Sequence, residues 1–328
     1  MNEENRGEGR RMGVLRRIPA LPFRLLFLGG AGLAAVLSLL GSTQGPKEIS
    51  LAPLVADLAP TLFLPGSMNE SVDRWMERYL TDQRPAFEKY LARQGLYSGM
   101  IKDGLRARGM PEDLVYLAAI ESGYSPGATS RVSASGMWQF MSPTAQEFGL
   151  RIDEYVDERR DPLRATDAAL DYLQSLYQQF GSWYLAAAAY NAGPGRVSRA
   201  LSAPSGDEAG EKELYWEIVE DLPRETRAYV PKMLALIVLS NAAKDYGSDV
   251  KRSKPVEYER VWAPGGTTLR WVASVVKAPV SELRELNPHL LRGVTPPDGL
   301  YPVRVPPGTA SMVVASRGGR WRTFSVDD

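Results

Sequence analysis

The chain has no cysteine and a single histidine, His289, in 328 residues. Without thiols there are no disulfides, no thiolate zinc sites, no cysteine nucleophile and no acylated N-terminal cysteine anchor. One imidazole has no second to join it in a histidine-built metal site, and no cofactor is implied. An excess of charge of either sign is missing too, since Lys plus Arg and Asp plus Glu each number 39. A chain without a global field does not gather nucleic acid or an anionic polymer over its whole surface, so recognition has to be local. There is no internal repeat at a fixed period and no low-complexity tract beyond the N-terminus.

What is there is ordinary for a folded protein: 44% apolar and 24% charged residues, with length for one sizeable core and a smaller module. The N-terminus carries an export pattern. Arg6, Arg10, Arg11, Arg16, Arg17 and Arg24 precede the apolar run from Leu25 to Leu40, and Gly41 to Pro46 turns polar, which leaves the N-terminus in the cytoplasm. The run is long for a cleavable signal core, short for a spanning helix of about 20 residues, and ends without a clear A-x-A site. A retained single membrane segment over 25–40 and a cleaved signal both stay open. Either puts the remainder on the periplasmic side of the cell envelope, with 1–46 as signal or anchor and 47–70 as linker.

From Ser71 to Gly247 apolar residues recur at three- and four-residue spacing, as in Val72/Trp75/Met76/Tyr79 and Met233/Leu234/Ile237/Val238, which predicts an all-α domain over 71–250. Ala203 to Gly210 reads as a surface loop, and Lys251 to Pro255 as a linker. Beyond it the pattern changes. Strand candidates at Tyr258–Val261 and Leu300–Val305 flank helical stretches at Leu269–Val276 and Ser281–Leu286, a βααβ module over 251–308. The tail 309–328 is too short for a domain. The expected fold class is mainly α, a helical domain followed by the small βααβ module.

Within the helical domain Glu121 ends the stretch from Pro111 to Ile120, where Leu114, Leu117 and Ala118 leave little water around it. Poor solvation favours the neutral, proton-donating form of a carboxylic acid. Downstream, Ser135-Gly136-Met137-Trp138-Gln139-Phe140-Met141 is rich in glycine, aromatic and amide side chains, a wall suited to sugar rings. Trp138 reads as core, because large aromatics at helical spacing usually pack. Asp153, Asp157, Glu158 and Asp161 do not fit the twelve-residue calcium loop and have Arg159 and Arg160 beside them, so a surface or structural network is expected. Glu225 and Arg227 read as an internal ion pair, and His289 as an exposed turn residue.

Glu121-Ser122-Gly123-Tyr124 with Ala128, Ser130, Ala134 and Gly136 to Phe140 resembles the signature of family 1 lytic transglycosylases of the membrane-bound D type. Ala188 to Gly195 and Leu222 to Pro231 resemble the family's second and third motifs, and with Asp157 to Pro162, which lies between the first and second, the blocks appear in the family's order. The resemblance implies a lysozyme-like helical fold and cleavage of the β-1,4 bond between N-acetylmuramic acid and N-acetylglucosamine in peptidoglycan, with a 1,6-anhydromuramyl product. It implies Glu121 as acid and then base, because the nucleophile is the sugar's own C6 hydroxyl and no second carboxylate is required. It also implies Ser130 and Gln139 as polar groups near the sugar and the acid, Tyr190 facing the carboxylate with Asn191 in the same motif, Met137 and Phe140 along sugar subsites, Gly136 keeping the cleft wide, and Tyr229 lining it. The family more often has leucine at position 137 and Gly-Ala where Ser133-Ala134 stands here.

Gly266-Thr267-Thr268-Leu269 and Val280 to Pro288 resemble a LysM domain, which implies either binding of N-acetylglucosamine chains or a packing role. Trp262 and Trp271 are accounted for by the small core. The implied partner is the peptidoglycan glycan strand, with no nucleic acid, and a monomer is expected. A hydrolytic muramidase using the same acid and a water, and an inactive glycan-binding scaffold, are the alternatives.

Overall fold

The computed structural model describes residues 69–202 and 214–316 and the backbone of Arg322–Thr323. The segment 25–40, the loop from Ala203 to Gly210 and most of the tail beyond 316 lie outside the described residues. Among the described residues no helix is long and apolar enough to cross a membrane.

The helical domain opens with α1 (Glu70–Leu80), α2 (Arg84–Ala107) and, after a 3-10 turn, α3 (Val115–Ser122). Asn69 starts α1 by accepting the amides of Ser71 and Val72, an N-cap that satisfies donors the helix cannot. Then follow α4 (Ser142–Glu147), α5 (Pro162–Phe180), α6 (Trp183–Ala192) and α7 (Pro194–Leu201). After the undescribed loop come α8 (Leu214–Ile218), α9 (Arg224–Arg227) and α10 (Tyr229–Asn241). Ten of the thirteen residues of α10 are buried, as expected for a helix apolar on all sides, which has to lie inside the protein. It packs against α1, α3 and α6, and the alanine run Ala186 to Ala189 in α6 is fully buried there.

The second part matches the expected βααβ order. It consists of β1 (Glu259–Pro264), α11 (Leu269–Val276), α12 (Val280–Leu286) and β2 (Leu300–Val305). β1 and β2 pair antiparallel, Glu259 opposite Val305 through Pro264 opposite Leu300. Parts of the tail 309–328, too short for a domain of its own, extend this module. Helix α13 (Ala310–Ala315) packs on β1, and β3 (Arg322–Thr323) pairs with the other edge of β1, giving the order β2-β1-β3.

Residues 251–255, expected as a linker, are fastened to α2. The Ser253 amide donates to Ala92 O at 2.8 Å, and a Cβ at Gly95 would meet Ser253 O at 1.9 Å. The helical domain also reaches into the other core, for Val156, 0% exposed, packs with Val261, Leu269, Leu283 and Val303.

Candidate active site

Glu121 sits in the last turn of α3, which ends because Gly123 takes a left-handed φ of 61° and its N–H returns to Ala119 O. Only glycine enters that conformation without cost. A Cβ there would also strike the Tyr90 ring at 2.6 Å. The carboxylate is half-buried, and Tyr229 Oη donates to Glu121 Oε1 at 2.5 Å. Burial pushes the Glu121 carboxyl from its ordinary 4.5 up to about 7, the Tyr229 bond opposes this, Glu225 adds to it and Lys232 subtracts. Burial, with Glu121 opposite, raises the Tyr229 phenol well above its usual value, so it stays a donor. A carboxyl poised near 7 can give up a proton at neutral pH and take one back.

Beside the helix of Glu121 lies the hairpin over residues 128–140, tied by the Ser135 and Phe140 backbones bonding each other at 3.1 Å in both directions. Ser122 Oγ donates to Met137 O at 2.8 Å and Tyr190 Oη to Trp138 O at 2.9 Å, so the turn after the acid and helix α6 both grip this hairpin. Ser130 Oγ accepts the Ala134 amide at 3.0 Å, and Gln139 Nε2 donates to Gly136 O at 2.9 Å. Both side chains are half-buried and shape the hairpin itself. Asn191 Oδ1 accepts from Thr226 Oγ1 at 2.8 Å, joining the end of α6 to α9.

Several expectations need correction. Met137 is 0% exposed and Phe140 is buried against Tyr172 and Tyr190. Neither offers a face to a sugar, because the helical core has taken them in; Trp138 is core as expected and donates to Thr166. Gly136 does permit a close approach, but of the protein's own backbone in the 3-10 turn Glu158–Arg160: a Cβ there would meet Arg159 O at 1.7 Å. Tyr190 bonds the Trp138 carbonyl and lies close enough to Glu121 for that carboxylate to help raise its phenol, while the phenol that hydrogen-bonds Glu121 is that of Tyr229, a buried partner of the acid rather than a lining group. Arg227 pairs with Glu220 and donates to Leu222 O, whereas Glu225 stays exposed.

His289 is 1% exposed, not on the surface, and lies with Nδ1 3.4 Å from Asp161 Oδ2. Burial lowers it from 6.5 to about 4, against the pull of Asp161. Asp157, Glu158 and Asp161 are likewise buried, a structural network and not a surface one. Their partners draw them away from Glu121. Asp161 pairs with Arg304 at 2.5 Å, and Glu158 accepts from Tyr301 Oη at 2.9 Å, both across to the C-terminal module. Ser122 and Thr226 are contributors to the site that sequence reasoning did not single out; both lay inside the motif blocks, without a pattern to mark their contacts, whereas Arg159 pairs with Asp157 as the acidic cluster's neighbour.

The helical region with this half-buried acid matches a known class: residues 99–212 fit the family model described as the transglycosylase SLT domain. Residues 257–317 fit that of the LysM-like domain of lytic transglycosylase MltD. The chain therefore carries an SLT domain joined to an MltD-type LysM-like domain. It is 34% identical over 225 residues to the membrane-bound lytic murein transglycosylase D of Escherichia coli K12, covering 67% of this chain and 48% of that protein. It is 35% identical over 146 residues to the soluble lytic murein transglycosylase of the same organism, covering 42% of this chain and 22% of the relative. The chain thus spans about half the length, or less, of these relatives. The solved 70-kDa soluble lytic transglycosylase SLT70 of Escherichia coli superposes with a TM-score of 0.39 at 25% identity, over 56% of this chain and 31% of that one.

Proposed function

We propose that the chain is a peptidoglycan lytic transglycosylase that cuts the β-1,4 bond between N-acetylmuramic acid and N-acetylglucosamine and leaves a 1,6-anhydromuramyl end. The observation that carries this reading is Glu121, a carboxyl raised to about 7 by burial and held by the Tyr229 phenol, within a domain whose family model is that of transglycosylases. Protonated Glu121 gives its proton to the leaving glycosidic oxygen as the C1–O bond breaks. As carboxylate it then removes the proton of the C6 hydroxyl, whose oxygen bonds C1, so the acid is regenerated and no water is consumed. Tyr229 holds the carboxyl in one orientation through both steps.

Ser130, Gly136, Gln139 and Tyr190 serve this reaction by fixing the hairpin beside the acid, Asn191 by holding α9, just ahead of the Tyr229 helix, through Thr226, and Met137 and Phe140 by filling the space behind the hairpin. The glycan strand is the substrate. The chain works in the cell envelope on the periplasmic side, carried there by the arginine-flanked apolar run over 25–40, as a monomer and without a cofactor.

One observation favours a second reading. The carboxylate whose charge bears on Glu121 is the exposed Glu225, and in a hydrolytic muramidase it could activate a water. Mass spectrometry of products released from intact sacculi separates the two. Products lighter by one water, retained in Glu225→Gln, are expected; reducing-end products lost in that variant would replace the lyase with the hydrolase.

A further inference from the structure

The LysM-like module touches the SLT domain at the strap 151–161, the segment whose other side braces the hairpin bonded to the helix of Glu121. On the module's side the strap is held by backbone and by buried charge. The Asp157 amide donates to His289 O at 3.0 Å and the Leu291 amide to Tyr155 O at 2.9 Å, and Val156 is fully buried in the module's core. Arg304 reaches Asp161, and Tyr301 reaches Glu158. Arg304 is itself fixed, since Asn287 Oδ1 accepts its amide and Asn287 Nδ2 donates to its carbonyl, both at 2.8 Å.

On the cleft side the same strap ends in Arg159 and Arg160. Asp157 clamps the Arg159 guanidinium through both oxygens, at 2.9 and 2.8 Å. That guanidinium donates to Ser133 O at 2.9 Å and Phe140 O at 3.0 Å, the two ends of the hairpin tip. Arg160 Nε reaches Ser135 Oγ at 3.3 Å, and the Arg159 carbonyl occupies the space that a side chain at Gly136 would need. A continuous path of short, buried contacts therefore runs from β2 through the strap to the hairpin that carries Ser130 and Gln139 and is bonded to the helix of Glu121.

We propose that the LysM-like module is a positioning element of the active site, with Arg304 and Arg159 as positioning residues: the docked module holds the strap, and the strap holds the hairpin beside the helix of Glu121. This rests on the lytic transglycosylase reading for its catalytic consequence, though not for its structural one. A misplacement of the hairpin by a fraction of an ångström is enough to slow a reaction that depends on near-attack geometry. The module thus acts through the fold of the site, whether or not it also contacts glycan.

The test compares the full chain with Arg304→Met, Arg304→Lys and Tyr301→Phe, by amide hydrogen exchange and by release of anhydromuramyl products, at a temperature where each is folded. Loosening the module in Arg304→Met is expected to speed exchange over 287–291 and over 129–140 together. It should lower kcat at least about tenfold with KM little changed, and Arg304→Lys should recover part of the loss. Should Arg304→Met fail to fold, Tyr301→Phe gives the same comparison with a milder change. Faster exchange over 287–291 with unchanged protection over 129–140 and unchanged kcat would overturn the proposal. A wild-type chain that releases no anhydro product would instead refute the lytic reading, and the exchange pattern would still decide whether the module braces the hairpin.

Discussion

Glu121 and Asp161 are both carboxylates withdrawn from water, yet Glu121 rises to about 7 while Asp161 is held at about 2. Burial pushes each of them up. At Asp161 the Arg304 guanidinium 2.5 Å away, with His289 and the Arg164 amide, more than reverses it. At Glu121 the principal partner is the neutral Tyr229 phenol, which opposes burial but does not overcome it. The partner's charge, rather than the depth of burial, thus decides whether a sunken carboxyl serves as a proton donor or as a fixed anion. In this chain the first kind sits at the cleft and the second at the seam between the modules.

Neutralising each carboxylate by its amide breaks the comparison most sharply. Glu121→Gln should lower product release at least about a thousandfold while leaving thermal stability at or above that of the wild type, because a charge that burial disfavours is gone. Asp161→Asn keeps a group able to cap α5, where Asp161 now accepts the Leu163 and Arg164 amides, but strips Arg304 of its counter-charge. It should cost about 3 kcal/mol in denaturant unfolding. Equal stability losses for the two amides would mean that the environments do not differ as described.

Tyr229→Phe sharpens the Glu121 side alone. Without the donor the carboxyl should rise further, moving the upper limb of the pH–rate profile, where the acid loses its proton, from near 7 to higher pH. The peak rate should fall about tenfold, the worth of one charge-assisted hydrogen bond. An unmoved limb would take Tyr229 out of the titration.

A further effect, on stability alone, concerns His289. The folded protein keeps it neutral down to about 4, whereas the unfolded chain takes up the proton near 6.5. The unfolded state therefore binds more protons in that window, and stability should fall by about 3 kcal/mol as pH drops from 6.5 to 4. Glu121 works in the other direction: its folded-state value is raised, so its contribution is full below 4.5 and is lost as pH rises through 7. His289→Phe should flatten the acidic slope without altering the neutral one, as read from unfolding midpoints across pH.

Much of this organisation is legible in the sequence. The helix Leu269–Val276 and the strand Leu300–Val305 follow from their apolar spacing and their turn residues, and the glutamate followed by Ser-Gly marks the end of α3. What periodicity does not carry is where a side chain finds its partner. Met137 and Phe140 look like a sugar-facing pair because their neighbours are glycine and amide, yet α5 and α6 close over them. His289 follows Asn-Pro, a surface turn in most settings, and is buried because Asp157 and Tyr155 pair with that very turn. Arg227 finds Glu220 rather than Glu225 because Glu225 stays on the exposed side of a helix only four residues long. Each of these depends on contacts between segments far apart in the chain, which local pattern does not encode.

Val156 has a bearing on how such a chain can be built up over time. The two family matches stop at residue 212 and resume at 257, as if the modules were beads that could be added, exchanged or repeated. But the core of the second bead is completed by a residue of the first. Val156 plugs that core and its neighbour Tyr155 packs against it, so any module exchanged for this one would have to keep a socket for both.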